Sequence, residues 1–309
     1  MLLWPLSGLF CTSTIPDWKK ARTAAALCIA KSIACGGFPQ VFSAIEISMR
    51  ISIVTISFNQ RAYLQEAMES VLSQQYHGLE YIVVDPGSTD GSRELIEQYA
   101  DRISRVIFEK DAGPPDGLNR GFAHASGDLL GFLNSDDLLE PGSLQAVGDF
   151  FAQHPECDIA CGDGFVVDGE GRRMRHIRAR GLTVQRYLHA GSRWMQQSTF
   201  FRRRSFQLVH GFNSQNRTSW DGELLIGMIA AGATVGYIHR DLACFRIHSA
   251  SITGGSSNGA AYQRDCQRIF SQITGREWSR NDDLLQICYR AEGALLRLAP
   301  WIRAGQVQL

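Results

Sequence analysis

From Ile51 onward, short unbroken apolar runs alternate with stretches in which apolar residues return every three or four positions. The run "ISIVTISF" (Ile51–Phe58) offers no polar face, which suits a strand covered on both sides. Leu64, Ala67, Met68, Val71 and Leu72 then fall on one face of a helix. The same rhythm predicts strands over Glu80–Asp85, Arg105–Glu109 and Asp128–Leu133, and helices over Ser92–Tyr99, Pro114–Ala125 and the segment after Pro141. Strand and helix in turn predict an α/β fold with a mostly parallel twisted sheet flanked by helices. Polar residues gather just past the strand ends, where open α/β sheets bind ligands.

Past residue 155 the order loosens. "GDGFVVDGEGRRMRHIRAR" reads as two strands around a Gly-rich turn, "QQSTFFRR" as another strand, and Asp221–Gly232 as a helix leading into the strand "ATVGYI". Amphipathic helices follow over Tyr262–Ile273 and Asp282–Leu298. The first 48 residues differ from all of this. Their apolar start lacks the basic region of a signal peptide, and "AAALCIAKSIACGGF" is broken by Lys31 and too short to span a bilayer. Met49 opens the regular pattern. We therefore expect residues 1–48 to be a poorly ordered or non-native extension, 49–255 the α/β domain, and 256–309 a helical C-terminal extension.

Charge narrows the partners. Lys plus Arg equals Asp plus Glu at 31 each, so no overall field recruits nucleic acid. The eight cysteines contain no CxxC pair and read as reduced cytosolic thiols, with Cys157 and Cys161 as buried strand residues. Two basic clusters, Arg172, Arg173, Arg175, Arg178 and Arg180 in one and Arg202–Arg204 in the other, read first as solvated faces. Their functional reading is peripheral contact with an anionic leaflet or a lipid diphosphate acceptor.

Carboxylates recur at strand ends or loop mouths: Asp85 in "VVDPGSTDGS", Asp116 in "DAGPPDGLNRG", Asp136 and Asp137 in "GFLNSDDLLEP", Asp221 and Glu223 in "SWDGEL". Each alone has a plain explanation as a turn residue, a helix cap or a charge at a helix N-terminus; Asp137 reads equally as a cap. In this order on a parallel sheet they reinforce one another.

Taken together, "ISIVTISFNQRAYLQEAMESVLSQ", "EYIVVDPGSTDGS", "EKDAGPPDGLNRGFAHASGDLLGFLNSDDLLEPGSL", "QQSTFFRR", "WDGEL" and "FRIHSAS" resemble family 2 glycosyltransferases, from about Met49 to Thr253. The resemblance implies the Rossmann-like GT-A fold and transfer, with inversion, of a sugar from a nucleotide diphosphate donor, a UDP-sugar foremost, to a sugar or lipid-linked sugar hydroxyl. It implies that Ser57, Phe58 and Asn59 meet the base, that Asp85 accepts from the base's ring N–H, and that Asp116, Asn119 and Arg120 face the donor sugar and ribose. "NSDD" takes the place of the Asp-x-Asp motif. Asp136 then becomes the ligand of a Mg²⁺ or Mn²⁺ ion that offsets diphosphate charge, with Asn134 and Ser135 beside the nucleotide and His248 completing the metal site. Asp221 matches the general base, Glu223 is a nearby acid that could substitute, and Gln196 and Gln197 line the acceptor side. Trp220 stands where the family often has another acid. The place of work implied is the cytoplasm, at the inner face of the membrane, in surface polysaccharide or glycolipid synthesis. The competing reading is a nucleotide-sugar-binding protein whose chemistry has decayed, which Asn134 and Trp220 keep open. Sugar nucleotidyltransferases are set aside because "SFNQRAYL" has no glycine for a phosphate loop.

Overall fold

The computed structural model describes residues 49–249, 251 and 259–305; the expectation for residues 1–48 lies outside them. In chain order the first half runs β1 (Ile51–Ile56), α1 (Arg61–Leu72), β2 (Leu79–Val84), α2 (Ser92–Gln98), β3 (Arg105–Ile107), α3 (Pro114–Ala123), β4 (Leu129–Asn134), β5 (Leu138–Leu139) and α4 (Ser143–Gln153). There follow β6 (Ile159–Val167), β7 (Arg173–Ile177), α5 (Val184–Leu188), β8 (Thr199–Arg202), α6 (Arg203–Leu208), α7 (Trp220–Ala230), β9 (Val235–Arg246), α8 (Gly259–Thr274) and α9 (Arg280–Gly305). None of the described helices is long and apolar enough to cross a membrane.

The strands form one sheet in the order β3-β2-β1-β4-β8-β6-β9-β5, with β7 paired to β6. β1 pairs in parallel with β2 and β4, β2 with β3, and β6 with β9; β5, β7 and β8 run antiparallel to their partners. The predicted mostly parallel sheet is thus present. Alternation along each strand splits the core into two layers. Ile51, Ile53, Leu129 and Leu133 pack with Leu64, Met68 and Val147 from α1 and α4 on one face. Val54, Leu130 and Phe132 pack with Leu118, Phe122 and Leu225 from α3 and α7 on the other.

Two features fix the site. β1 and β4 are in register, so their C-terminal ends, Ile56 opposite Asn134, release neighbouring loops. β5 is only two residues long, yet it pairs Leu138 with Cys244 and Leu139 with Ala243 near the end of β9. That short ladder ties the double-aspartate loop to the segment carrying His248. The period-two signal is too short to reveal β5, and the strand over "ATVGYI" extends much further, to Arg246, because β6 pairs along it through two register shifts.

Candidate active site

A cavity of about 990 Å³ opens at the C-terminal ends of β1, β2 and β4. Ser57 and Phe58 line it from the β1 loop, Pro86 and Gly87 from the β2 loop, and Asn134, Ser135 and Asp136 from the β4 loop. Thr218, Trp220 and Asp221 enter from the start of α7, and Arg175, Ile177, Trp194 and Phe245 complete the far wall.

Phe58 is 58% exposed, an aromatic face left open at a cavity mouth. Beside it the Ser57 hydroxyl is buried and meets no hydrogen-bond partner among the described residues. An unmatched buried hydroxyl is costly, so a ligand that supplies the missing partner binds favourably. Asn59 does other work. It sits at φ +52°, its backbone N–H donates to Ser88 Oγ at 2.8 Å, and its side-chain oxygen accepts from Thr89 at 2.9 Å. It braces the β1 loop against the β2 loop. Asp85 lies beneath this brace, fully buried, accepting from the Gly87 and Ser88 amides at 3.0 and 2.8 Å, Ser88 Oγ at 2.5 Å and Arg93 Nε at 3.2 Å. It holds the loop that lines the cavity and does not itself reach the lining.

At the β4 end, His248 Nε2 stands 3.1 Å from Asp136 Oδ2, with the imidazole 4.6 Å from the Tyr63 ring. The Arg246 guanidinium makes this meeting possible. It is buried, donating to the Asp136 carbonyl at 2.9 Å, the Gly169 carbonyl at 3.0 Å and Glu66 at 2.6 Å. Asp137 is not a helix cap. Its carboxyl is fully buried and accepts from the Arg246 amide, Gln197 Nε2 and Asn134 Nδ2 at 2.9, 2.7 and 3.1 Å. Burial, then the charge of Asp136, push its pKa well above the usual carboxylate range. A cation at Asp136 would relieve that repulsion. The Asp136 carboxylate on the cavity wall, with the His248 imidazole beside it, would suit a divalent ion such as Mn²⁺ or Mg²⁺, the remaining positions being open to phosphate oxygens and water.

A second cluster, Asp163, His176 and Asp241, has ligand atoms within 4.8 Å of one another, His176 Nε2 lying 2.6 Å from Asp241. None of the three lines the cavity. His176 alternates with Arg175 and Ile177, which do, so it faces the other side of the sheet.

Asp221 lies at the start of α7, where burial raises its pKa and its own and the Gly222 amides lower it, for a net rise. Gly222 leaves room for the Tyr187 hydroxyl, which any side chain there would strike. Glu223 does not stand in for Asp221. Burial raises its pKa, but bonds from Arg268, then Asn213 and Asn216, outweigh that and hold it low. Arg268 of α8 grips both its oxygens at 2.5 and 2.7 Å, and Asn216 and Asn213 donate at 2.6 and 3.0 Å. It is a fastened acid outside the cavity lining.

Three expected donor contacts are likewise elsewhere. Asp116 accepts from the Ala112 amide and Arg120 at 3.0 and 3.2 Å, and Arg120 also reaches Glu109. Asn119 is bonded both ways to the Phe212 backbone. None of the three lines the cavity, whereas Asp111, five residues before Asp116, does. Two acids in "DAGPPDG" carried the signal; what chooses between them is Gly117, whose missing side chain leaves space for the Asp111 carboxylate. Gln196 and Gln197 line the cavity as expected.

A parallel nucleotide-type sheet with an acid–imidazole pair beyond β4 and a partly buried aspartate at a helix start defines a GT-A sugar-transferring protein. The family model for glycosyl transferase family 2 matches residues 52–224, and the chain belongs to that family. An uncharacterized glycosyltransferase of Nostoc sp. is 28% identical over 84% of this chain and 83% of its own length. The putative teichuronic acid biosynthesis glycosyltransferase TuaG of Bacillus subtilis is 34% identical over 33% of this chain and 42% of its own. In solved structures the fold is similar to S. aureus TarS 1–349 in complex with UDP-GlcNAc (TM-score 0.61, 17% identity, 78% of this chain and 71% of that one). It is also similar to the mannosyltransferase PcManGT of Pyrobaculum calidifontis in complex with GDP-Man and Mn²⁺ (TM-score 0.57, 15% identity, 92% and 81%).

Proposed function

We propose that the protein is an inverting, divalent-cation-assisted transferase that moves a hexose from a UDP-sugar to a hydroxyl acceptor in surface polysaccharide or glycolipid synthesis, on the cytoplasmic side of the membrane. The observation that carries this reading is the sharing of one cavity by Ser57 and Phe58, by Asp136 and by Asp221, with His248 at hydrogen-bond distance from Asp136. The UDP-GlcNAc bound by TarS and the teichuronic acid role named for TuaG support the donor and the pathway class.

Phe58 offers a face on which a pyrimidine can stack, and the Ser57 hydroxyl bonds the base or ribose. Asp136 and His248 would hold a Mn²⁺ or Mg²⁺ ion that offsets charge on the departing nucleoside diphosphate, as PcManGT's bound Mn²⁺ suggests. Asp221 takes the proton of the acceptor hydroxyl as its oxygen bonds the anomeric carbon and the carbon–phosphate-oxygen bond breaks on the opposite face. A burial-raised pKa suits a base that must accept that proton near neutral pH.

A thermal-shift screen of UDP- and GDP-sugars with and without Mn²⁺ tests the donor. Stabilisation by a UDP-sugar that grows with Mn²⁺ is expected. No shift with any nucleotide sugar sinks the reading, and a preference for GDP-sugars replaces the donor. Tight donor binding with no UDP release would favour the decayed-enzyme alternative.

A further inference from the structure

The end of the cavity away from Ser57 and Gly87 is walled by Val166, Ile177, Trp194, Trp220 and Phe245. Its glutamines each commit the amide nitrogen to the protein: Gln196 Nε2 donates to the Phe132 carbonyl at 2.6 Å, and Gln197 Nε2 to Asp137 at 2.7 Å. An acceptor made only of hydroxyls would find few free partners on such a surface. One cation interrupts it. Across β6, Val166 stands opposite Arg175 on one side and Phe245 on the other, and all three line the cavity. The two arginines before it on the hairpin are paired, Arg172 with Asp168 and Glu170 and Arg173 with Glu140. Among the described residues no carboxylate forms an ion pair with Arg175.

We infer that Arg175 recognises an anionic group on the acceptor, a phosphate or a carboxylate, carried beside an apolar ring face; this rests on the sugar-transfer reading of the cavity. A guanidinium is weakly hydrated and matches either anion with two parallel hydrogen bonds, and the tryptophans supply faces for the ring. Two strand spacings place Arg175 about 10 Å from Phe245. The next residue, Arg246, touches the Asp136 carbonyl, so the cation is set off from the place of the donor diphosphate. Arg175 is exposed like most of the basic stretch, and its register on β7 puts it on the cavity wall.

Binding of three probes to the UDP- and Mn²⁺-loaded protein tests this: methyl glucoside, methyl glucuronide, and methyl glucoside 6-phosphate. At least one anionic glycoside should bind about tenfold more tightly than the neutral one, and R175Q should abolish the difference while R175K keeps part of it. The ranking of glucuronide against phosphate separates a uronic acid acceptor from a phosphorylated one. Equal binding of all three, or no binding of any, overturns the inference. So does an R175Q protein whose loss falls on the UDP-sugar instead, which would move the guanidinium to the donor. Failure of UDP itself to bind is read in the same titrations and would refute the transfer reading separately.

Discussion

The two ends of the cavity are assembled by different means. At the donor end, Ser57, Phe58, Pro86 and Gly87 leave the ends of adjacent parallel strands, and strand register alone brings their loops together. Hydrogen bonds between the two loops, from the Asn59 amide to Ser88 Oγ and from the Thr89 amide to the Asn59 side-chain oxygen, then set them, with Ser88 bonded in turn to Asp85. At the acceptor end, Asp221 comes from a helix start, Arg175 from a hairpin strand and Trp194 from a loop, and what fastens them is distant in sequence. Arg268, which grips Glu223, lies in α8, beyond the residues that the family model matches. The donor end follows from the sheet; the acceptor end depends on tertiary pairs.

The sharpest way to break this contrast is at Asp221. An isosteric D221N cannot take a proton, and its turnover should fall by about 10²- to 10⁴-fold while UDP-sugar affinity holds. Loss of donor binding instead would show that the two ends are not separable. In the wild type, burial keeps the Asp221 proton on at higher pH than an ordinary aspartate does. The active form is the ionised one, so the rate should fall as pH drops through this raised pKa, and the acid limb should disappear in D221N. A kcat profile over acidic pH measures both.

The same contrast explains how much could be read from the chain. Ser57, Phe58 and Asp136 sit at the ends of unbroken apolar runs, and a run that ends fixes where its loop begins. The meeting of His248 with Asp136 rests on the two-residue β5, which no periodicity announces. Asp111 and not Asp116 lines the cavity, because the placing of two acids in one loop depends on a close approach over Gly117. Glu223 reads as a spare base beside Asp221 until its partner, 45 residues later, is seen to occupy it. Nothing in the sequence sets Arg175 apart from its basic neighbours; its place on the cavity wall comes from pairing with Val166.

Removing the cation grip should weaken both ends at once. D136N or H248A should lose on the order of 10²-fold in turnover and lose the Mn²⁺-dependent part of the thermal shift given by UDP-sugar. If both variants keep the Mn²⁺ response, the ion is held elsewhere, and the cluster of Asp163, His176 and Asp241 becomes the next place to look. A smaller effect is expected at the clamp. R268A releases Glu223 and the Asn213–Asn216 turn before α7, so kcat should drop about tenfold with the UDP-sugar KM unmoved. R268K should recover part of it. An equal loss in KM would show that the clamp merely keeps the fold intact.

The smallest effect separates binding from stability at one atom. Ser57 Oγ is buried without a partner among the described residues, and the folded protein bears that cost whenever no ligand is present. S57A removes the unmatched hydroxyl together with the hydrogen bond it would give the nucleotide. The ligand-free melting temperature should therefore stay level or rise slightly, while the UDP-sugar KM increases by about fivefold, near 1 kcal/mol. The opposite signs matter more than the sizes. A packing residue would lose stability on truncation and a bystander would change neither quantity, so only a hydroxyl kept for a ligand moves the two in opposite directions.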